Sequence, residues 1–244
     1  MDKVLSDAHD AVSDIGDGAS IAVGGFGTAG VPWRLIDAVL ARGSRRLTIV
    51  TNNCGINGLG LATLLREHRI ERVIASYIGQ NQIFASQYLG GEIEVELTPQ
   101  GTLAERLRAG GAGIAAFYTP TGVDTPVADG GIPTRFGIGG AVATESRRKE
   151  VRTFDLGGQP RRYVLEEAIV TDFALVRATV ADRHGNATFH AAARNFNPDV
   201  AMAGRTTIVE AERIVEPGDL DPDSVHLPGI FVNRVVPVEE GPSS

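Results

Sequence analysis

The chain has 244 residues, of which 43% are hydrophobic and 22% charged, with a formal net charge of −7 and one cysteine. That length and composition suit one large soluble α/β domain spanning residues 1–244, while the acidic balance argues against a nucleic-acid surface. No apolar run approaches the roughly 20 residues of a membrane span, the start MDKVLSDAHD lacks a signal-peptide core, and the lone Cys54 excludes an intrachain disulfide and fits a reducing cytoplasm.

Residues 1–16 place Val4, Leu5, Ala8, Ala11 and Val12 at helical spacing, which predicts a leading helix. Residues 19–23 then read as a short buried strand. A glycine turn follows with Gly24, Gly25, Phe26, Gly27 and Gly30, and Pro32 opens an amphipathic helix that stops at Gly43. The free N–H groups at the start of that helix suit an anion or a carbonyl oxygen. A second strand, 47–50, ends in a turn, Thr51-Asn52-Asn53-Cys54-Gly55. A helix near 59–67, a strand at 72–76, a helix near 81–89 and a strand at 94–97 come next. Thr102 and Glu105 fit a capping box that starts a further helix.

Strands alternating with helices predict an open, largely parallel sheet flanked by helices. In such a sheet the turns at 24–30, 52–55, 76–79 and 98–101 gather at the carboxyl edge, where ligands bind. The expected site is therefore the glycine loop with Asn52, Asn53, Tyr77 and Gln100. Residues of about 122–160 are rich in glycine and charge and read as a surface excursion with a hairpin. From Arg162 onward strands dominate, NATFHA (186–191) and GIFVNRVVPV (229–238) among them, His184-Gly185-Asn186 marks a turn, and the tail 239–244 reads as disordered.

Several chemistries compete for these residues. Gly25, Gly27 and Gly30 fit the dinucleotide pattern G-x-G-x-x-G, but the second strand ends without the acidic residue that would hold a ribose. Neither a P-loop lysine nor a G-x-S-x-G elbow is present, and the five histidines lack metal-ligand spacing. Asn52 and Asn53 suit either turn chemistry or an oxyanion and carboxylate site. Cys54 suits a buried filler better than a nucleophile. Arg106 and Arg108 suit a charged helix face better than a phosphate site.

A longer pattern is more specific. Asp17-Gly18, then Gly24-Gly25-Phe26, Gly30 and Pro32, with TNNCG at 51–55, ELTPQGTLAERLRAGG from 96, ARNFNP and PGIFV, resembles the family I coenzyme A transferases on the side of their A (alpha) chain, over nearly the whole length. The segment 76–101 is most similar to the succinyl-CoA:3-oxoacid (acetoacetate) subgroup, and departs from it at Gln80, where a Glu is expected. The resemblance implies a CoA thioester as substrate, small carboxylic acids as partners in exchange, and no permanently bound cofactor. It implies an acid pocket walled by Asn52, Asn53 and Gln100, with Tyr77 and Gln80 as possible members, and a glycine loop close to CoA. It further implies a nucleophilic glutamate on a B subunit, in a heterodimer or an α2β2 assembly. No Glu-Asn-Gly motif occurs here, and Glu92, Glu94, Glu96 and Glu105 are not assigned as nucleophile. A different acid, such as 3-oxoadipate, a hydrolase of the same family, and a nicotinamide-dependent oxidoreductase remain the other readings.

Overall fold

The computed structural model describes residues 1–56 and 58–238. In chain order the elements are α1 (Ala8–Ala11), β1 (Ser20–Val23), α2 (Trp33–Arg42), β2 (Leu47–Asn53), α3 (Leu61–Arg66), β3 (Ile70–Tyr77), α4 (Gln82–Leu89), β4 (Glu94–Leu97) and α5 (Gln100–Gly111). Next come β5 (Ala116–Thr119), α6 (Pro126–Asp129), β6 (Pro133–Phe136), β7 (Val142–Glu145), β8 (Val151–Asp155) and β9 (Pro160–Glu167). The chain closes with β10 (Thr171–Asp182), β11 (Ala187–Thr188), α7 (Asn197–Ala203), β12 (Gly204–Val215) and β13 (Arg234–Pro237).

The main sheet has the order β13-β12-β10-β1-β2-β3-β4, with β11 paired to β10. Every pairing along that order is parallel. Strand alternation sends Ile21, Val23, Ile49, Val73, Leu175 and Ile208 to one face, where α1, α2, α3 and α4 pack. Ala22, Val50, Ile74, Ala174, Val176 and Val209 point to the other face, beneath α5 and α7. From β1 the chain steps outward through β2, β3 and β4, and later from β10 the opposite way through β12 and β13. The order therefore reverses between β1 and β10, the kind of switch point that opens a crevice at the carboxyl edge.

The structure corrects four local expectations. The leading helix shrinks to α1, because Val4 bridges Val235 and the backbone on either side bonds to β13. The capping box at Thr102 and Glu105 does not form: α5 already begins at Gln100. Thr102 Oγ1 is buried without a hydrogen-bond partner among the described residues, and Glu105 pairs with Arg108 instead. Asn52 and Asn53 are the last residues of β2 rather than turn residues, because that strand keeps its pairing with β3 as far as Tyr77. The strand expected from Asn186 to Ala191 shortens to β11, and Gly229–Phe231 forms a turn of 3₁₀ helix.

The excursion folds into the hairpin β6–β7 and the antiparallel sheet β5-β9-β8. Tyr88 Oη donates to Pro133 O at 2.5 Å, and the Tyr88 and Phe136 rings meet edge to face at 5.1 Å. The hairpin thus lies at the end of α4 that is remote from Gln80. The tail 239–244 lies outside the described residues. No helix among the described residues is long and apolar enough to cross a membrane.

The Arg106 side chain ties α5 to β4 and to the end of β9. It is 9% exposed, donates to Glu96 Oε1 at 2.6 Å and to Glu167 O at 2.7 Å, and approaches Thr98 Oγ1 at 3.3 Å. Burial pushes the Glu96 carboxyl up, but Arg106 and Arg72 outweigh it and hold it below its ordinary value. Its contribution to stability is therefore present above the unfolded value of 4.5 and fades as pH falls below it. Arg106→Met is expected to cost about 3 kcal/mol in urea denaturation at neutral pH, since it strips a half-buried carboxylate of its nearest cation. The variant is also expected to lose less stability than the wild type on acidification.

Candidate active site

The site is built where β1 leaves the sheet. Val23 is the last β1 residue paired with β10, and Gly24 N–H still donates to Leu175 O at 2.9 Å. The chain then turns. Phe26 and Ala29 exchange two backbone hydrogen bonds of 3.0 Å, closing a tight loop that holds Gly27 at φ 60°. Such a positive φ is strained for a residue with a side chain. Phe26 stands at the loop tip, half exposed.

The ARNFNP segment straps this loop from the far side. Asn195 Nδ2 donates to Ala29 O at 3.1 Å, and Asn197 Nδ2 to Gly30 O at 2.9 Å. Asn197 Oδ1 accepts the backbone N–H of Arg177 at 3.2 Å, the donor that β1 leaves without a strand partner. A Cβ on Gly24 would lie 2.0 Å from Asn197 Oδ1, so close approach of the asparagine demands glycine there. Both segments stand out in the sequence, but their contact does not. The signal was the asparagine pair itself, spaced two residues apart where α7 begins.

The second part of the site is a cluster of neutral amides at the ends of β2, β3 and β4. Asn52 shares the sheet face of Val50, while Asn53 shares that of Thr51 and Ile49. Asn52 Oδ1 accepts from Ser76 Oγ at 2.7 Å and from Gln100 Nε2 at 3.1 Å. With its oxygen engaged twice, Asn52 turns its N–H₂ over the strand end toward Asn53 Oδ1, 3.3 Å away. The structure thus brings Asn52, Asn53 and Gln100 together from three elements. Ser76 was missed. It lies one residue before Tyr77, at the strand end already marked as an edge of the site. Asn53 also borders a small recess with Thr51, Gly24, Gly25 and Gly27, so the amide cluster and the glycine loop are neighbours.

Other candidates settle as follows. Tyr77 is half exposed and lies across Gly79. Gln80 is exposed on a backbone of φ 64°, and its side chain has no hydrogen-bond partner among the described residues. Cys54 is fully buried, and burial pushes its thiol far above the usual range, so it is packing and not a nucleophile. Its carbonyl accepts from Asn81 Nδ2 at 2.8 Å, and Asn81 also caps α4. Arg106 is buried and structural, not part of an exposed helix face. Arg108 does lie on such a face, against Glu105. Glu92 pairs with His68, and Glu94 and Glu96 with Arg72. Among the described residues no cluster of His, Cys, Asp and Glu is fit to hold a metal. A charged cavity of about 700 Å³ opens along β3 and β4, lined among others by Arg72, Glu94, Lys149 and Glu166, and no residue of the amide cluster lines it.

One expectation is reversed. The start of α2 does not offer its N–H groups to a ligand. Glu210 of β12 is buried there, and its Oε2 accepts the Leu35 N–H at 3.1 Å, with Arg34 N–H turned on the same carboxylate. A pyrophosphate would have to displace an internal carboxyl group, which removes the physical basis of the dinucleotide reading.

Gly24→Ala is expected to expel Asn197 from its place, with a cost of about 2–3 kcal/mol. Thermal unfolding followed by circular dichroism checks this: a melting temperature within about a degree of the wild type would show that the contact is slack.

Residues 5–237 match the model of the family described as Coenzyme A transferase. The chain is 58% identical over 238 residues to the Mycobacterium tuberculosis protein named as the A chain of a probable succinyl-CoA:3-ketoacid coenzyme A transferase, covering 98% of this chain and 94% of that one. It is 47% identical over 234 residues to human "Succinyl-CoA:3-ketoacid coenzyme A transferase 2, mitochondrial", covering 96% of this chain but 44% of the human one. In structure it is similar to the acyl-CoA transferase of Escherichia coli O157:H7 in its thioester complex with CoA, with a TM-score of 0.75 and 26% identity, over 96% of this chain and 47% of that one. The chain belongs to the coenzyme A transferase family.

Proposed function

We propose that this chain is the A (alpha) chain of a succinyl-CoA:3-oxoacid CoA-transferase, moving CoA from succinyl-CoA to a 3-oxo acid such as acetoacetate together with a B subunit. The observation that carries the reading is the amide cluster of Asn52, Ser76 and Gln100 beside the glycine loop. Neutral donors fixed in place suit a substrate that alternates between carboxylate, thioester and anhydride, because they bind oxygen in each state without a charge of their own. The relative from Mycobacterium tuberculosis, matched nearly end to end, supports the alpha-chain reading.

The reaction follows from that reading. A glutamate carboxylate carried by the B subunit is the nucleophile. It attacks the thioester carbonyl, the C–S bond breaks, and an acyl-glutamyl anhydride and CoA thiolate form. The thiolate then attacks the glutamyl carbonyl, releasing the first acid and leaving glutamyl-CoA. The acceptor acid runs the same steps in reverse. Thioester energy is kept because each step trades one activated acyl bond for another, which requires that water be kept out. The role of this chain is to wall the acid pocket with Asn52, Asn53 and Gln100 and to lay the glycine loop along the thioester. We place Tyr77 and Gln80 at the rim, the assembly as α2β2, and the enzyme in the cytoplasm, where Cys54 stays reduced. CoA enters as a substrate, and no resident cofactor takes part.

Asn52→Ala in the assembled enzyme is expected to lower kcat for succinyl-CoA and acetoacetate by about 10²-fold, the effect of removing one oxyanion donor. An unchanged kcat would remove Asn52 from the site. Gln80→Glu adds a negative charge at the rim and is expected to change the ratio of kcat/KM between mono- and dicarboxylic acceptor acids. An unchanged ratio would place Gln80 outside the pocket.

A further inference from the structure

Strands β10 and β12 run on past the point where β1 departs. Arg177 and Glu210 are register partners on that extension, two residues beyond the last β1 pairing on β10. Alternation from Leu175 and from Ile208 turns both side chains to the α2 face. Glu210 is 0% exposed. One carboxylate oxygen accepts the Leu35 N–H at 3.1 Å, and the other lies 3.4 Å from Arg177 Nη1. The Arg177 guanidinium also donates to Glu212 at 3.0 Å, and its backbone N–H is held by Asn197, the residue that grips Gly30. The loop from Gly24 to Pro32 is therefore tied at its exit through α2 and Glu210, and along its length through Asn197 and Arg177. Burying a carboxylate is costly, and an apolar side chain of similar size would fill the same space at lower cost. The carboxyl group thus serves something other than packing.

We propose that Glu210 is a positioning residue for the transfer reaction, its carboxyl group fixing the glycine loop by holding the start of α2 against Arg177 of β10. It does not touch substrate and acts through the loop. Burial raises its carboxyl to about 7, against the opposing pull of the Leu35 N–H, Arg177 and Arg34. The charged groups facing it are Arg177 from β10 and Arg34 from α2, with Glu212 of its own strand reached through Arg177, while β13 presents Val236 at that level. Because burial outweighs those partners, the closed position favours the neutral carboxyl, and the grip on the loop weakens as the group ionises with pH rising through about 7.

The inference rests on the glycine loop being part of the acyl-CoA site, and the test separates the two claims. The complete two-chain enzyme is assayed with succinyl-CoA and acetoacetate from about pH 5 to about pH 9. In parallel, hydrogen exchange of amides 24–35 is followed and corrected for the intrinsic rate. For the wild type, kcat is expected to fall on the alkaline side of about pH 7, with KM for succinyl-CoA changing less than about twofold, and protection of Leu35 N–H to fall in step. Glu210→Gln, which keeps the shape and the acceptor but carries no charge, is expected to lose both pH dependences, and Glu210→Leu, which removes the acceptor, to lower kcat about tenfold. Arg177→Met removes the facing cation and is expected to move both limbs to higher pH. A Glu210→Gln enzyme with the wild-type alkaline limb, or wild-type protection that ignores pH or rises with it, would overturn the proposal. An assembly inactive with every acid, yet with pH-dependent protection at Leu35, would overturn the transferase reading and leave the role of Glu210 standing.

Discussion

The architecture turns on one backbone group, the N–H of Arg177. In a parallel sheet each interior donor needs a partner on the neighbouring strand, and a buried donor without one costs of the order of 1–3 kcal/mol. β1 stops at Val23, so β10 loses its neighbour just as Arg177 arrives. Asn197 supplies the missing acceptor. To reach it, Asn197 must pass where a Cβ of residue 24 would stand, so that residue is glycine. The same asparagine then holds Gly30. One unsatisfied donor thus links a strand end, a glycine loop and a helix 20 residues further along, and fixes the crevice in which the site lies.

Among the described residues, the buried or half-buried carboxylates that flank that crevice are paired within the chain. Glu96 is held by Arg106 and Arg72, and Glu166 by Lys149, on the flank where the excursion packs. Glu210 is sealed behind the start of α2. What faces the crevice is Asn52, Asn53, Ser76 and Gln100, amides and a hydroxyl whose orientation is set by mutual hydrogen bonds. A preorganised neutral site of this kind stabilises developing negative charge without the reorganisation that water would need. It also leaves room for a carboxylate supplied from another chain, which a fixed negative charge here would repel.

Much of this was legible in the sequence because it rests on local chemistry. β4 and the span from Trp33 to Gly43 follow from apolar periodicity with proline and glycine stops, and Gly43 takes the left-handed conformation that ends α2. The gathering of four turns at one edge follows from parallel pairing alone. Contacts that join distant segments leave no such local mark. Nothing near Glu210 in sequence shows it as the acceptor for a helix start 175 residues earlier, so that helix looked open to a ligand. Arg106 looked like an exposed helix residue because its partners Glu96 and Glu167 come from two other elements. The Asn52-Asn53 pair looked like a turn because asparagine favours turns, whereas continued pairing with Tyr77 keeps it extended and splits the two side chains between sheet faces.

This chain, on the reading proposed, shapes the site while another chain supplies the nucleophile. The decisive experiment is a succinyl-CoA to acetoacetate transferase assay on the purified chain, alone and with its B subunit, followed by borohydride reduction of the trapped thioester and peptide mapping. Activity is expected only in the assembly, with a single reduced glutamate located on the B subunit. Turnover by this chain alone, or a reduced glutamate within it, would refute that division of labour and return the search for a nucleophile to Glu92, Glu94 and Glu96.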